Sequence, residues 1–339
     1  MGLGEIALLR LPAAVCLRAW RKLAYVLNDL FLQRINDHRF SSFEACLAED
    51  GRPRFYVIVM PDTLHFLLPC LALLQRPAQV VLLCNGAHRW EKRLLAERLP
   101  EIPVFSLWTL PMSSVAHGQV INLLLRNSRP NFGLVDHDCY ILDDALFREL
   151  APMDDECLIG LFGDQCAEAG LTYPHTYFVY FNSRALREVM RRNGVDGRLY
   201  RKIPSQVASK VQRFGLGPGR FWKSYHNFYD TLHVLLATAL AEGYRFRFLS
   251  SEADPPAVHI GGTSIGSHHT KDIFNIYDNL AFLELLDDPL LSKRYGFLTA
   301  PIRSMAEVLR LYDAADPRWQ RRQALDGLMA RLRDRLGAD

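Results

Sequence analysis

The segment Gly133-Leu-Val-Asp-His-Asp138 joins a short run of strand-forming residues to a pair of acids. Before it, short β-forming runs alternate with helical patterns along the chain. The predicted strands lie at 55–60, 79–84, 102–107 and 133–135, and the predicted helices between them lie at 65–75, 90–99 and 115–126. This alternation predicts a mostly parallel sheet with helices on both faces. The expected fold class is therefore α/β, with a Rossmann-type sheet.

The rest of the chain adds strands and helices on both sides of this core. Further strand-like runs lie at 157–162, 177–181 and 244–249, and predicted helices begin at Arg184 and Asp230. Residues 195–227 are rich in glycine, basic and aromatic residues, which predicts a long loop. We expect an α/β domain at 53–266, an N-terminal helical extension at 1–52 and a C-terminal helical region at 267–339.

The bulk composition favours a folded protein with one large core. The chain has 339 residues, 49% of them hydrophobic, and a net charge of only +3. This balance argues against disorder and does not indicate nucleic acid as a partner. The seven cysteines form no Cys-x-x-Cys pair, which fits a reduced, cytoplasmic setting. A zinc site built from Cys139, Cys157 or Cys166 with His137 would match no common ligand spacing.

No run of the sequence has the length and apolar character of a membrane-spanning helix. Residues 1–17 are apolar, but Glu5 and Arg10 interrupt them and no clear cleavage site follows, so we do not expect a signal peptide. In residues 17–36, basic and large apolar side chains are interleaved at helical spacing. This pattern is typical of a helix packed on the main domain, which we favour, and also of a helix on an anionic membrane surface.

Polar residues follow the predicted strands at the edge where a parallel sheet binds its ligands. Asp62 and Thr63 come after the first strand, Asn85 after the second and Asp136 after the fourth. Ligands of such sheets lie outside the carboxyl ends of the strands. These residues therefore predict a binding site at this edge.

Asp136 and Asp138 are two residues apart at a strand end, so their side chains should leave on the same side while His137 points away. Converging carboxylates repel each other unless a cation lies between them, and oxygen ligands suit Mg²⁺ or Mn²⁺. The alternative is an acidic turn that also includes Asp143 and Asp144. The position after the fourth strand favours the metal site.

Two further residues could carry chemistry. Asp230 opens a predicted helix, where it could cap the first turn, act as a general base with a raised pKa, or do both. His259 precedes Gly261-Gly262-Thr-Ser264, whose backbone could approach a diphosphate closely. His268 and His269 are weaker candidates. Basic residues of the long loop could close over phosphates or form a solvated face; they are Lys202, Lys210, Arg213, Arg220 and Lys223.

Several short motifs occur in a familiar order, namely Val57–Pro61, Leu83–Gly86, Val135–Asp138, Tyr229–Leu232 and Val258–Ser264. Together they resemble the GT-A class of glycosyltransferases, in particular the inverting glycosyltransferase family 2. Tyr229 departs from this pattern, because the family usually has Glu there, and Asn85 replaces the Asp that the family usually has near the nucleotide base. The spacing of 92 residues between Asp138 and Asp230 is long and indicates an inserted acceptor region.

The resemblance implies a GT-A-like catalytic domain that moves a sugar from a nucleotide-sugar to an acceptor hydroxyl with inversion. It implies Asp230 as the base and Asp138 as the main ligand of Mn²⁺ or Mg²⁺, assisted by Asp136 and His259. The residues implied in binding the donor are Pro61, Asp62, Thr63, Asn85, Asp136, Gly261 and Gly262. The acceptor would be a glycan, a lipid-linked glycan or a protein, in bacterial surface-glycan synthesis, with peripheral contact at the inner face of the membrane.

Two other functions remain open at this stage. A sugar-phosphate nucleotidyltransferase also uses carboxylates on Mg²⁺, but it normally has a Gly-rich basic loop after the first strand, and Pro61-Asp-Thr-Leu-His65 has neither feature. A non-catalytic GT-A-like scaffold could dock a membrane assembly through the basic ends of the chain.

Overall fold

A computed structural model describes residues 16, 19–20, 22–24, 26–128, 131–223, 225–251, 255–263, 273–300, 302, 304–311 and 319–336. The candidates His268 and His269 lie outside the described residues, as does Ser264 of the glycine-containing segment. Among the described residues, no helix has both the length and the apolar character needed to cross a bilayer.

The strands are β1 (Arg54–Val59), β2 (Gln79–Cys84), β3 (Val104–Ser106), β4 (Phe132–Asp136), β5 (Cys139–Ile141), β6 (Glu156–Gly160), β7 (Gly163–Cys166), β8 (Leu171–Pro174), β9 (Phe178–Phe181), β10 (Arg245–Phe248) and β11 (Ala257–His259). The α-helices are α1 (Gln33–Ala45), α2 (Leu64–Leu74), α3 (Arg89–Arg98), α4 (His117–Asn127), α5 (Ser183–Asn193), α6 (Ala208–Gln212), α7 (His233–Ala241), α8 (Ile273–Leu286), α9 (Pro289–Thr299), α10 (Met305–Leu311) and α11 (Trp319–Leu336). A π-helical turn, Asn28–Leu32, leads into α1.

The main sheet has seven strands in the order β10-β6-β9-β4-β1-β2-β3. Strands β1, β2, β3 and β4 pair in parallel, as do β6 and β10, while β9 runs antiparallel to both β4 and β6. The chain is therefore an α/β protein with a mixed, mostly parallel sheet flanked by helices, and the predicted fold class is confirmed. Two small antiparallel pairs, β5 with β11 and β7 with β8, accompany it.

The middle of the main sheet is buried on both faces because the central strands β1 and β2 carry runs of apolar residues after their first position. In β1, Phe55, Val57 and Val59 belong to a core layer that also contains side chains of α2, α8 and α9. The alternate residues Tyr56 and Ile58 belong to a second layer with side chains of α4, α5 and α7. Strands buried on both faces read as continuous hydrophobic runs, which is why β1 and β2 were predicted to within one residue.

The helix α1 is fastened to the sheet by a buried carboxylate. Glu44 accepts a hydrogen bond from Arg54 Nη1 at 2.7 Å and another from the Tyr56 hydroxyl at 2.5 Å. Farther up, the side chain of Asn28 donates to Ser113 and that of Asn36 donates to the Trp108 carbonyl. This part of the N-terminal region therefore packs on the α/β core, as favoured, while contact with a membrane and the domain boundaries stay predictions.

Three local differences from the sequence expectation bear on the site. Helix α7 begins at His233 and not at Asp230, because Leu232 adopts a left-handed conformation with φ of 71°. The short strand β5 and the β7–β8 hairpin were not predicted, since β7 is largely exposed and polar. The described residues of the range 195–227 contain the short helix α6 within an otherwise irregular segment.

Candidate active site

Two sheets bring three ligand-type side chains together. Strand β4 of the main sheet ends at Asp136, and Asp138 lies in the turn that leads to β5. Because β11 pairs antiparallel to β5, His259 lies opposite Cys139, beside that turn. One ligand atom from each of Asp136, Asp138 and His259 lies within 4.8 Å of the others. The three residues predicted to bind metal thus converge on one point.

The distances show how the cluster is organised. His259 Nε2 lies 3.4 Å from Asp138 Oδ1 and 4.0 Å from Asp136 Oδ2. The other oxygen of Asp138, Oδ2, accepts hydrogen bonds from the Thr263 hydroxyl at 2.7 Å and from the Gly261 amide at 3.1 Å. One oxygen of the Asp138 carboxylate is thus hydrogen-bonded by the protein, and the other lies toward His259.

A second set of contacts orients the cluster from behind. The ring of Tyr177 stacks on His259 with centroids 3.8 Å apart and an interplanar angle of 11°. His137 Nε2 lies 2.9 Å from the hydroxyl of Thr263, which also holds Asp138. The expectation that His137 points away from this region is therefore wrong, because β4 ends at Asp136 and the strand alternation does not continue into the turn.

Burial and charge separate the two aspartates electrostatically. Burial together with the charge of Asp138 raises the pKa of Asp136 to about 7. Burial also opposes ionisation of Asp138, but the charges of His137 and His259 and the bonds from His259 and Thr263 outweigh it and hold its pKa well below the usual range. Two close carboxylates whose pKa values are separated in this way form a site that favours a positively charged group.

The donor set fits a divalent cation. Carboxylate oxygens suit Mg²⁺ and Mn²⁺, and an imidazole nitrogen is a common ligand of transition metals. Among the described residues, this is the one group of three or more acidic, histidine or cysteine side chains with metal-like spacing. Cys139, Cys157 and Cys166 are buried and free, so the disfavoured zinc arrangement is absent among the described residues.

A cavity of about 270 Å³ opens beside the cluster at the carboxyl ends of β1, β2 and β4. Its walls are Ile58, Met60, Asn85, Ser114, Val115, His117, Asp136 and His137. Asn85, the residue predicted to meet the nucleotide, borders the cavity, but both atoms of its amide are engaged. They bond the backbone amide of Val115 at 2.7 Å and its carbonyl at 2.8 Å. Asn85 therefore shapes the cavity by fixing the loop before α4.

The residues after β1 have structural contacts of their own. Thr63 is fully buried and donates to the Met60 carbonyl at 2.8 Å at the start of α2. Asp62 has a φ of 64°, and its amide donates to the Glu91 carboxylate. Pro61, Asp62 and Thr63 are not among the residues that line the cavity, so the cavity gives no support to their predicted contact with a donor.

Gly261 supports the acidic cluster through its backbone amide, and Gly262 follows it in the chain. Both have positive φ values, 69° and 70°, which glycine adopts without strain. A Cβ added at Gly261 would lie 3.2 Å from the His259 ring. Because glycine has no side chain, the amide of residue 261 can reach Asp138 next to that ring.

Asp230 lies between the irregular segment and α7, and a neighbouring cation holds it. Its Oδ2 is 2.6 Å from Lys223 Nζ and 3.9 Å from His226 Nδ1. Burial alone would raise the pKa of Asp230, but the hydrogen bond and charge of Lys223 outweigh it, so the pKa is lowered. As a general base, Asp230 was expected to have a raised pKa, and in this respect the expectation is wrong for the protein without substrate.

The five basic residues of the segment divide by their contacts. Lys223 pairs with Asp230, whereas Lys210 contacts Asn193 and Glu242, and Arg213 donates to the Ala241 carbonyl. Lys202 and Arg220 are exposed. Within this set, the structure brings Lys223 alone into contact with a candidate site residue.

Three residues that were not predicted from the sequence stand out only in three dimensions. His117 and Tyr177 carry no motif, and Thr263 belongs to the motif Val258–Ser264 without a role of its own. Each gains its interest from residues far away in the chain. A histidine near the start of a predicted helix, as His117 is, was the one available sequence signal.

The family comparison covers the part of the chain that contains the cavity and both aspartates. Residues 32–186 match the family model of the StrH glycosyltransferase N-terminal domain. The chain is a glycosyltransferase. The predicted class of enzyme is thereby confirmed, as is the resemblance to glycosyltransferases. Asp230 and His259 lie outside the matched range, so their assignment depends on the geometry alone.

Several solved glycosyltransferase structures are similar to this glycosyltransferase at a low level. The mannosyltransferase PcManGT of Pyrobaculum calidifontis, solved with GDP-Man and Mn²⁺, has a TM-score of 0.38 and 13% identity, covering 85% of this chain and 79% of its own. Residues 1–349 of TarS from S. aureus have a TM-score of 0.35 and 14% identity, and the match covers 74% of this chain and 69% of that one. The bifunctional glycosyltransferase WbbM has a TM-score of 0.35 and 10% identity, and the match covers 60% of this chain and 39% of that one. TM-scores this low do not establish a common fold, and no curated protein matches the chain.

Proposed function

We propose that this glycosyltransferase uses a nucleotide-sugar donor and a divalent cation to glycosylate an acceptor hydroxyl with inversion. The observation that carries the proposal is the cluster of Asp136, Asp138 and His259 at the border of a cavity beside the strand ends. The cavity would hold the nucleotide part of the donor, and the cluster would hold the cation against its diphosphate. A bound cation would neutralise the charge that builds up on the leaving diphosphate.

The ligand set favours Mn²⁺ over Mg²⁺ in this proposal. Mg²⁺ prefers oxygen ligands in strict octahedral geometry, whereas an imidazole nitrogen such as His259 Nε2 suits transition metals better. Asp138 would contribute Oδ1, since Oδ2 is committed to Thr263 and Gly261. Asp136 would contribute an oxygen from the cavity side.

Asp230 is the carboxylate that we propose as the general base. It lies outside the metal cluster, and the next residue, Thr231, lines a cavity that adjoins the first one at His117. A carboxylate with a low pKa is ionised at neutral pH and is ready to accept a proton from an acceptor hydroxyl. Direct attack by that hydroxyl on the anomeric carbon would invert its configuration.

The decisive experiment is calorimetry with Mn²⁺ and a panel of UDP, GDP, ADP and dTDP. We expect at least one nucleotide to bind with Mn²⁺, and Asp138→Ala to lower the affinity for Mn²⁺ by more than about 100-fold. Asp154→Asn is the matched control, because Asp154 is an exposed acid outside the cluster. Full transfer activity of Asp138→Ala in Mn²⁺ would refute the metal assignment.

The same titration separates the alternatives. Metal-dependent nucleotide binding with release of the nucleoside diphosphate from a nucleotide-sugar fits the transferase. Release of pyrophosphate from a nucleoside triphosphate and a sugar phosphate would instead fit a nucleotidyltransferase. An absence of nucleotide binding would fit a scaffold. NMR of the product anomer would test inversion.

The proposal extends to the acceptor and to the location of the enzyme. A glycan, a lipid-linked glycan or a protein remains the proposed acceptor, and cytoplasmic work near the inner face of a membrane remains the proposed setting. The exposed apolar side chains of Leu23, Val26, Leu30 and Phe31 on the N-terminal region support contact with an apolar surface. A flotation assay with anionic vesicles would test this contact.

A further inference from the structure

His117 is the first residue of helix α4, and it stands at the junction of two cavities. Its ring lines the 270 Å³ cavity that also borders Asp136. It also lines a neighbouring cavity of about 550 Å³, whose walls include Thr231, the residue after Asp230. A ligand that filled the first cavity would therefore meet this ring.

The polar atoms around the cavity are mostly committed to the protein. Asn85 is occupied by the backbone of Val115, and His137 Nε2 by the hydroxyl of Thr263. In contrast, the buried Nε2 atom of His117 has no hydrogen-bond partner among the described residues. An unpaired buried polar atom costs free energy, and native proteins keep such atoms chiefly where a ligand or an ordered water meets them.

The charge state of His117 limits what it can recognise. Burial lowers its pKa to about 4, against a smaller opposite effect from the charge of Asp230. At neutral pH the ring is uncharged and offers one N–H donor and one nitrogen acceptor. Such a group suits a ribose hydroxyl or a base edge, whereas the diphosphate is drawn to the cation held by Asp136 and Asp138.

We propose that His117 hydrogen-bonds the nucleoside part of the donor and replaces Asn85 as the polar residue that reads it. This assignment rests on the proposed function, because it assumes that the cavity holds a nucleotide. It places the nucleoside toward α4 and the diphosphate toward Asp136, along the cavity that both residues line. His117 is then a specificity-determining residue.

The test compares ligands that contain or lack the nucleoside. The probes are the nucleoside diphosphate that binds the unchanged protein with Mn²⁺, its monophosphate, and inorganic pyrophosphate. We expect His117→Ala to lower the affinity for the diphosphate and for the monophosphate by the same factor, about five- to tenfold, which corresponds to the loss of one hydrogen bond. Pyrophosphate and Mn²⁺ should bind as before, and His117→Asn should recover part of the loss.

Two further measurements keep the test sharp. His38→Ala is the matched control, because His38 is an exposed histidine on α1, and it should leave all affinities unchanged. His117→Leu should keep or raise the melting temperature, because it removes an unpaired buried nitrogen while filling the same space, and it should still weaken nucleotide binding.

The outcomes separate this assignment from the function on which it rests. An equal loss of affinity for pyrophosphate would show that His117 contacts the diphosphate, and it would overturn the assignment. Unchanged nucleotide affinity in a folded His117→Ala variant would overturn it as well. If the unchanged protein bound no nucleotide, the proposed function would fail and this assignment with it.

Discussion

Lys223 Nζ lies 2.6 Å from Asp230 Oδ2, so the proposed base is ion-paired to an amine seven residues before it. Both side chains are largely buried, at 19% and 23% exposure, where a charge pair is screened less than at the surface. The pairing holds Asp230 ionised, and it also makes Asp230 a weaker proton acceptor.

Replacing the lysine should therefore change the pH dependence. In Lys223→Met, burial acts on Asp230 without its partner, so the pKa of Asp230 rises and the acid limb of the pH–rate profile moves to higher pH. The measurement is donor turnover from pH 4 to 8, with the exposed Lys202→Met as control. An acid limb at the same pH in both variants would show that Asp230 is not the titrating base.

The same pair predicts how stability changes with pH. Because the pKa of Asp230 is lowered on folding, its contribution is present above the unfolded pKa and lost as pH falls through the folded value. The unchanged protein should therefore exceed Lys223→Met in unfolding free energy at pH 7, with the gap closing below about pH 4. Urea denaturation at both pH values would show a constant gap if the pair were unimportant.

Thr263 should matter to metal binding without touching the metal. Its hydroxyl holds Asp138 Oδ2, and partners of this kind are worth about 10- to 100-fold in metal affinity. Thr263→Val should lose that factor in Mn²⁺ titrations, and Thr263→Ser should retain most of the affinity. Equal affinities in the valine and serine variants would contradict the role of the hydroxyl.

Tyr177 offers a test of ring packing as opposed to hydrogen bonding. Its ring covers His259, so Tyr177→Phe should preserve Mn²⁺ affinity whereas Tyr177→Leu should lower it severalfold by freeing the imidazole. Electron paramagnetic resonance of bound Mn²⁺ would report the change directly. A loss in Tyr177→Phe as large as in Tyr177→Leu would point to the hydroxyl instead.

The anchor of α1 predicts a large effect on stability. Glu44→Gln removes the charge that pairs with the buried Arg54, which costs about 3–5 kcal/mol in unfolding free energy. Chemical denaturation measures this loss. The double variant Glu44→Leu/Arg54→Met should recover much of it, because no unpaired charge remains; a double variant as unstable as the single one would contradict this account.

The sequence predicted those parts of the fold that depend on local patterns. Buried strands such as β1 and β2 carry unbroken apolar runs, and Asn182 caps α5 by accepting a hydrogen bond from the Ala185 amide, as expected for this residue type. The start of α7 was placed too early, because nothing in the residue type of Leu232 indicates its left-handed backbone.

Prediction of the site was limited by contacts that are distant in sequence. Asp136, Asp138 and His259 were nominated from short motifs, and the β5–β11 pairing brings them together. The roles expected of Asn85 and Thr63 assumed free side chains, and their bonds to Val115 and Met60 depend on a loop and a helix start that residue patterns do not specify. For the same reason His117 was overlooked.

The pairing of β5 with β11 also has a consequence for biosynthesis. Gly261, which holds Asp138, follows it by 123 residues, so the ribosome must add that much chain before the cluster can close. At about 5–20 residues per second, several seconds or longer pass between the synthesis of the two aspartates and that of His259. The proposed metal site would thus be completed late in synthesis, and a chain that stops before β11 would carry both aspartates yet lack His259.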